Sequence, residues 1–493
     1  MGLHDAGVTV ERNGIERYAP TRINVVICGA GVGGLLAALE CYRKGHSVTV
    51  LEREPKMSIV GDVVGLNPAA LSTIQKYPYL KENMPLKFHD CPISYYSYHG
   101  QFINSAMPEW RGSDVEANSG LGTVGQIITR PNHAEVMLAQ IRQLGIPIVW
   151  SKKVVKYGEA PKDGPAFAET EDGERYEADV VIAADGVHSA SREIVKGNVP
   201  PVQRTGYFAA RTGFPRSDLP DLGPECQHLF PRDGEADINR VYIGKSSHHV
   251  VSTSKDYVAW VINSKASVGF RLHLKEDSSE GTSTNLTPED VISVMGDGWD
   301  PAVLKLIRHS PGSIVNWSLN FRNPHRHWTS PGGRVVQLGD AAHTFLPTSG
   351  NGAVQAMEDA ISIAECLRQG GKENVGWSTQ VHNVLRYQRV TTIQRTAFVN
   401  QDDLDGVDVK QALRRGPDFK VRWGRWMWSH LPEQYAADHY WDALTAIQTG
   451  NTFENTNLPP GHVFEDFTME QELKRQKLKI PSSLKRNGDW TIE

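Results

Sequence analysis

The chain is poor in cysteine: five in 493 residues, at Cys28, Cys41, Cys91, Cys226 and Cys366. Their number is odd, they are scattered, and no Cys-x-x-Cys pair occurs, which argues against a disulfide framework and a zinc site alike. Reduced thiols in a cytoplasmic compartment are expected. Long hydrophobic runs are also missing. The most apolar stretch, Ile23 to Leu39, is interrupted by four glycines and is shorter than a membrane-spanning helix. Residues 1–20 carry charges throughout and show no signal-peptide block. Positive charge is not in excess: 52 Lys and Arg against 57 Asp and Glu leave a net charge of −5. No nucleic-acid partner is therefore expected. The Gly-x-Ser-x-Gly elbow of serine hydrolases is absent.

What remains is the composition of a globular protein, 39% hydrophobic and 22% charged, with a mean hydropathy of −0.40. Its length calls for two or three domains. Ile23 to Cys28 is short, β-branched and stopped by glycine, as a buried strand should be. Helical spacing follows over Gly33 to Lys44, and Ser47 to Leu51 reads as a second strand, completing a βαβ unit. Residues 55–125 are irregular and rich in Pro, Tyr and Gly, and read as a loop excursion. Pro131 to Leu144 reads as a helix with proline in its first turn. Ala178 to Ala184 and Arg334 to Leu338 read as further buried strands, the latter leading into a helix from Gly352 to about Gln369. The predicted organisation is a residue 1–20 arm, a first nucleotide-binding part over 21–202, a mostly β insertion over 203–325, a second nucleotide-binding part over 326–400, and a helical, aromatic-rich region with a charged tail over 401–493.

Three stretches carry chemistry. Gly29-Ala30-Gly31-Val32-Gly33-Gly34 matches G-x-G-x-x-G between a strand and a helix. There Gly29 permits the turn, Gly31 lets backbone approach a pyrophosphate, and Gly34 allows close helix–strand packing. Glu52 ends the second strand, where a carboxylate accepts from ribose hydroxyls. The second stretch is Ala184-Asp185-Gly186. The third runs from Gly339-Asp340 through Pro347 and Gly350-Asn351-Gly352 to Glu358-Asp359. Each sets a carboxylate at the carboxyl end of a strand, where open α/β sheets bind ligands; taken singly, an N-cap aspartate explains either of the last two.

In this order the three stretches resemble the dinucleotide, DG and GD motifs of single-component FAD-dependent aromatic hydroxylases, and the salicylate-hydroxylase-like branch is the most similar. The resemblance covers roughly residues 22 to 400. It implies an α/β (α+β overall) fold: a glutathione-reductase-type Rossmann FAD domain interrupted by a β-sheet substrate domain, with a helical C-terminal region. It also implies FAD as cofactor, NAD(P)H and O2 as co-substrates, and hydroxylation or epoxidation of an electron-rich aromatic small molecule. The sequence itself shows no second nucleotide fingerprint after residue 60, and the region beyond 400 is a candidate pocket cover or homodimer surface. Position by position, the resemblance assigns Glu52 to the adenosine ribose, Gly65 to a backbone contact, Arg130 and Asp185 to the cofactor, and Asp340 to the ribityl chain. Pro347, Gly350, Gly352 and Ala353 fall under the flavin ring, and Arg211 matches an arginine that some members use at the substrate. Three departures stand out: Asn351 replaces a usual Gln, Ala69 a frequent Asn, and Thr253 falls where some members have a tyrosine, with Tyr242 and Tyr257 as nearby substitutes.

Competing readings are a flavin-dependent halogenase, a flavin oxidase and a non-catalytic FAD-fold carrier. Trp423 to Trp428 lacks the Ile-Pro of the halogenase motif and reads as helix packing. His325 and His327, if on a strand, face opposite sides and make a poor metal pair. His248-His249 reads as surface or packing.

Overall fold

The computed structural model describes residues 9–57, 63–119, 127–161, 164–195, 197, 199–244, 246–265, 282–405 and 408–491. The start of the expected N-terminal arm, parts of the 55–125 excursion and the last two residues of the tail lie outside them. At its centre is a five-stranded sheet in the order Ile148–Val149, Ser47–Leu51, Asn24–Cys28, Val180–Ala183, Val335–Gln337. All neighbours are parallel. The strands read as unbroken apolar runs because both faces are covered. Val25, Ile27, Val50, Ile182 and Val336 pack on one side with residues of the helices Val32–Arg43 and Gly352–Gly370. Val26, Cys28, Val181, Ala183 and Val335 pack on the other against Tyr157, Ala166 and Ala168, from a small antiparallel sheet of Val154–Glu159, Ala166–Thr170 and Arg175–Ala178. All five cysteines are free and buried.

An eight-stranded sheet forms the second layer system, in the order Thr282–Leu286, Ile314–Phe321, Gln203–Pro215, Tyr257–Lys265, Ser247–Thr253, Ile238–Gly244, Ile93–Ser97, Phe102–Ala106. The β insertion therefore forms as expected, but the stretch read as a loop excursion supplies its last two strands. Ile93–Ser97 runs parallel to Ile238–Gly244. Its Ile-Ser-Tyr-Tyr-Ser sequence has little aliphatic alternation, so only pairing with a distant strand reveals it. One face of this sheet buries Phe208, Tyr242, Val251 and Ile262 beneath the helices Pro288–Met295 and Pro301–Arg308. The first of these helices opens on a reciprocal cap between Thr287 and Asp290.

The C-terminal part is helical as predicted, although the helix Val375–Asp405 carries past residue 400. It packs on Gly352–Gly370 through buried charges. Arg386 donates to Glu358 at 2.5 Å and to Asp359 at 2.8 Å, while Arg389 binds both Glu358 oxygens at 2.8 and 3.0 Å. Arg389 also donates to the carbonyl oxygens of Met427 and Asn457, at 2.7 and 3.1 Å. Burial alone would push the Glu358 carboxyl up, but the two guanidinium groups outweigh it and hold it down at about 2. His325 and His327 lie outside any strand, with His325 Nδ1 2.7 Å from the His327 carbonyl oxygen. No group of three or more metal-ligating side chains occurs among the described residues. No helix there is long and apolar enough to cross a membrane.

Two predictions follow from burial. Arg389→Met leaves the buried Glu358 carboxylate with Arg386 as its one cation among the described residues and should cost about 3 kcal/mol in a denaturant-unfolding measurement. Burial also depresses several histidines: His46 and His133 to about 4, His249 and His382 to about 3. Their folded values lie below the unfolded value of about 6.5, so the unfolded chain gains the proton first as pH falls. Stability should therefore be complete above that pH and decline below it, by about 1.4 kcal/mol per pH unit for each group. Neither ring nitrogen of His249 has a hydrogen-bond partner among the described residues. His249→Phe should flatten the decline between about pH 6.5 and 4 by one proton's worth, read as the slope of unfolding free energy against pH.

Candidate functional site

The glycine turn after Asn24–Cys28 is built for close approach. Gly29 has a φ of +110°, and a Cβ there would lie 2.4 Å from the Ala184 carbonyl oxygen. At Gly34 a Cβ would lie 2.0 Å from the carbonyl oxygen of Gly29. At Gly31, by contrast, a Cβ meets nothing within 4 Å, and Gly31 faces a cavity of about 510 Å³. The geometry at Gly29 and Gly34 is that of a tight turn and of close helix–strand packing. Gly31 also caps the helix Val32–Arg43 without a side-chain hydrogen bond. Glu52 accepts from the Ala30 N–H at 2.7 Å and the Glu54 N–H at 3.0 Å. The carboxylate thus fixes the turn as well as standing at the strand end.

The other motifs reach the same cavity from neighbouring strands. Ala184 and Gly186 line it, while Asp185 turns back to accept from the Tyr157 hydroxyl at 2.6 Å. Burial raises the Asp185 pKa, opposed by Ser189 and Tyr157. Asp340 opens to the cavity. Enclosure by protein raises its pKa, with His343, Arg130 and Arg322 pulling the other way. Behind it, Asp359 accepts from the Gly339 N–H at 3.1 Å and contacts His343 Nε2 at 2.6 Å. Pro347 starts a short turn that ends at Gly350 with φ +62°. Asn351 folds back to donate to the Ser349 carbonyl oxygen at 2.6 Å, and the helix then begins at Gly352. Pro347, Gly350, Gly352 and Ala353 all line the cavity, as do Gly65 and Arg130. Gly65 ends Val63–Gly65, which pairs with Ile127–Thr129, and Thr129 caps the helix that starts with Arg130.

The far wall is the second face of the large sheet. Strand alternation decides which residues reach it. On Gln203–Pro215 these are Ala209 and Arg211; on Ser247–Thr253, His248, Val250 and Ser252; on Tyr257–Lys265, Ala259, Val261 and Asn263. Arg211 stacks over Trp317 at 4.8 Å. None of the three residues considered for the missing tyrosine lines the cavity. Thr253 is buried on the opposite side, donating to the Leu229 carbonyl oxygen at 2.6 Å; Tyr242 stacks on Tyr96 at 5.4 Å in that same opposite core; and Tyr257 pairs with Pro215 at the end of its strand. Among the described residues, the tyrosine that lines the cavity is Tyr95, from the stretch read as loop. His249 is core packing, whereas His248 lines the cavity. Of the late tryptophans, Trp426 packs on Trp490 at 5.1 Å, but Trp423 and Trp428 line the cavity beside Trp110. Trp423 donates to the Ser349 carbonyl oxygen at 3.2 Å.

The chain resembles known proteins over most of its length. Residues 22–375 match the family of the FAD binding domain. The chain is 37% identical over 489 residues to the FAD-dependent monooxygenase fsr3 of Gibberella fujikuroi, covering 97% of this chain and 91% of that one. It is 36% identical over 495 residues to the FAD-dependent monooxygenase mdpD of Emericella nidulans, covering 97% and 92%. The crystal structure of CtdE in complex with FAD and a substrate superposes with a TM-score of 0.76 at 29% identity, over 87% of this chain and 100% of that one. A salicylate hydroxylase substrate complex shares the fold, with a TM-score of 0.65 at 21% identity, over 84% and 97%. The chain belongs to the FAD binding domain family and is an FAD-dependent monooxygenase.

Proposed function

We propose that this monooxygenase takes NAD(P)H and O2 and hydroxylates or epoxidises an electron-rich, phenolic aromatic molecule, with Arg211 acting on the substrate. The observation that carries the reading is that Arg211 and the aromatic walls share one cavity with Gly31, Asp340 and Gly352. The site fits the cofactor: the open position at Gly31 and the uncapped helix end suit a pyrophosphate, and Asp340 offers a carboxylate to hydroxyls. Gly29, Gly31, Gly34 and Glu52 would hold its adenosine and phosphate half, Arg130, Asp185 and Asp340 its middle, and Gly65, Pro347, Gly350, Gly352 and Ala353 the ring end. Bound FAD supplies electron transfer and oxygen activation.

The chain's own contribution is placement and charge. Trp110, Trp423 and Trp428 wall the cavity and keep water from the reacting atoms. The Arg211 guanidinium, held on Trp317, favours the ionised form of a phenol beside it. NAD(P)H binds transiently over the FAD domain. The five buried, free thiols suit a cytoplasmic enzyme. The assay screens phenols, aromatic acids and indoles for stimulated NAD(P)H consumption, scored by product mass. On the best phenol, Arg211→Ala should lower kcat/KM about tenfold or more and move its pH profile upward, with Arg211→Lys intermediate. An unchanged profile in Arg211→Ala removes the residue from the mechanism.

A further inference from the structure

Across the sheet from Arg211 the cavity wall holds a polar group that the cofactor motifs do not explain. His248 and Asn263 are paired neighbours on adjacent strands and both line the cavity. His248 Nδ1 lies 2.7 Å from Asp405 Oδ1, at the end of the long C-terminal helix, and His248 Nε2 lies 3.0 Å from Asn263 Nδ2. All three side chains are buried. A carboxylate only accepts, so Nδ1 carries the hydrogen and Nε2 presents its lone pair, receiving the amide N–H of Asn263. Asn263 Oδ1 and Asp405 Oδ2 have no hydrogen-bond partner among the described residues. A buried amide oxygen left without a donor marks this part of the wall as polar and unsatisfied.

We propose that His248, oriented by Asp405, is a second catalytic group of the substrate site, which receives the proton of a substrate hydroxyl at the edge opposite Arg211. The proposal rests on the phenolic reading above and deepens it. The O–H bond of the phenol breaks, its proton passes to His248 Nε2, and the electron pair stays on the phenolate oxygen. Asn263 then turns its N–H from Nε2 to that oxygen. The imidazolium is balanced by Asp405, so no net charge is left unpaired in the wall. Other titratable groups face the pair from each side. His249, on the same strand but the opposite face, is kept neutral by burial, at about 3. Tyr207 is pushed up to about 12 by burial and then by Asp405 and Asp402, so it does not compete as a base.

Position on the sheet adds a statement about the substrate. The strands carrying His248 and Arg211 are separated by one strand, Tyr257–Lys265, whose Val261 pairs with both Val250 and Arg211. Two strand spacings separate their backbones by roughly 10 Å. A fused polycyclic molecule with one phenolic oxygen beside Arg211 and a second hydroxyl at the far edge, beside His248, fits that separation better than a hydroxyl and an acid on adjacent ring carbons.

The test uses the full-length protein loaded with FAD and two probes. One is 6-hydroxy-2-naphthoic acid, whose hydroxyl and carboxylate lie at opposite ends of a rigid bicycle; the other is salicylic acid, the short control. Ultraviolet titration reads the ionisation of the bound naphthol. In the wild type it should ionise about one pH unit or more below the free probe, and the naphthoate should bind more tightly than salicylate. In His248→Phe and in Asp405→Asn the shift should disappear while FAD content is retained. Asp405→Asn, which keeps the hydrogen-bonding side chain, answers the question where the first variant does not fold. The proposal is overturned by an equal shift in wild type and variants, or by preference for salicylate. Failure of the phenolic reading itself would show differently, as no phenol stimulating NAD(P)H consumption in any form of the enzyme.

Discussion

The site depends on one buried charge cluster. Glu358 and Asp359 are consecutive residues on the helix that begins at Gly352, and both are fully enclosed. Two buried carboxylates side by side are untenable without compensation. Arg386 and Arg389, one turn apart on the next helix, supply it, and His343 closes the set. The cluster orients three things together: the Gly339 turn through Asp359, the start of the Gly352 helix, and the Trp426–Met427 chain through Arg389. A buried network of this kind is weak evidence for stability in itself, since well-packed apolar residues often do as well. What it fixes is alignment, because each member has only one arrangement that leaves no charge unpaired.

The second constraint is the pleat of the large sheet. Its two faces serve different ends: one is closed by helices, the other forms the cavity wall. Every residue on these strands is therefore assigned by parity, and a shift of one position moves a side chain from cavity to core. His248 and His249 are adjacent in sequence and differ in everything else. The same rule places Thr253 in the core, where its hydroxyl is engaged by the Leu229 carbonyl oxygen.

These two constraints explain what was legible in the sequence. The glycine turn, the strand ends bearing Glu52, Asp185 and Asp340, and the Gly350–Gly352 turn were readable because each is a local backbone requirement. A φ of +110° at Gly29, or a 2.0 Å approach at Gly34, leaves its mark at the residue itself. The substrate wall leaves no such mark. Tyr95 reaches it only because Ile93–Ser97 pairs with a strand almost 150 residues later (Tyr95 opposite Val241). Asp405 meets His248 across 157 residues. Long-range pairing and strand parity carry this information, and composition in a window does not. Thr253 and Tyr242 accordingly face the core and not the cavity.

The C-terminal region, least readable of all, supplies the cavity's remaining wall. Glu109, from the excursion, accepts from the Trp423 and Gly424 N–H groups at 3.3 and 3.0 Å, and from the Trp428 ring at 3.3 Å. One carboxylate thus binds Trp423 and Trp428 to the segment bearing Pro108 and Trp110, and all four residues line the cavity. The cofactor side is defined by backbone geometry that tolerates only glycine at its closest points. The substrate side is defined by side chains hung on a sheet face and on this strap. Changes in Trp423, Trp428, Tyr95 or Val250 reshape the pocket without touching the glycine turn, so the fold separates the two ends of one cavity.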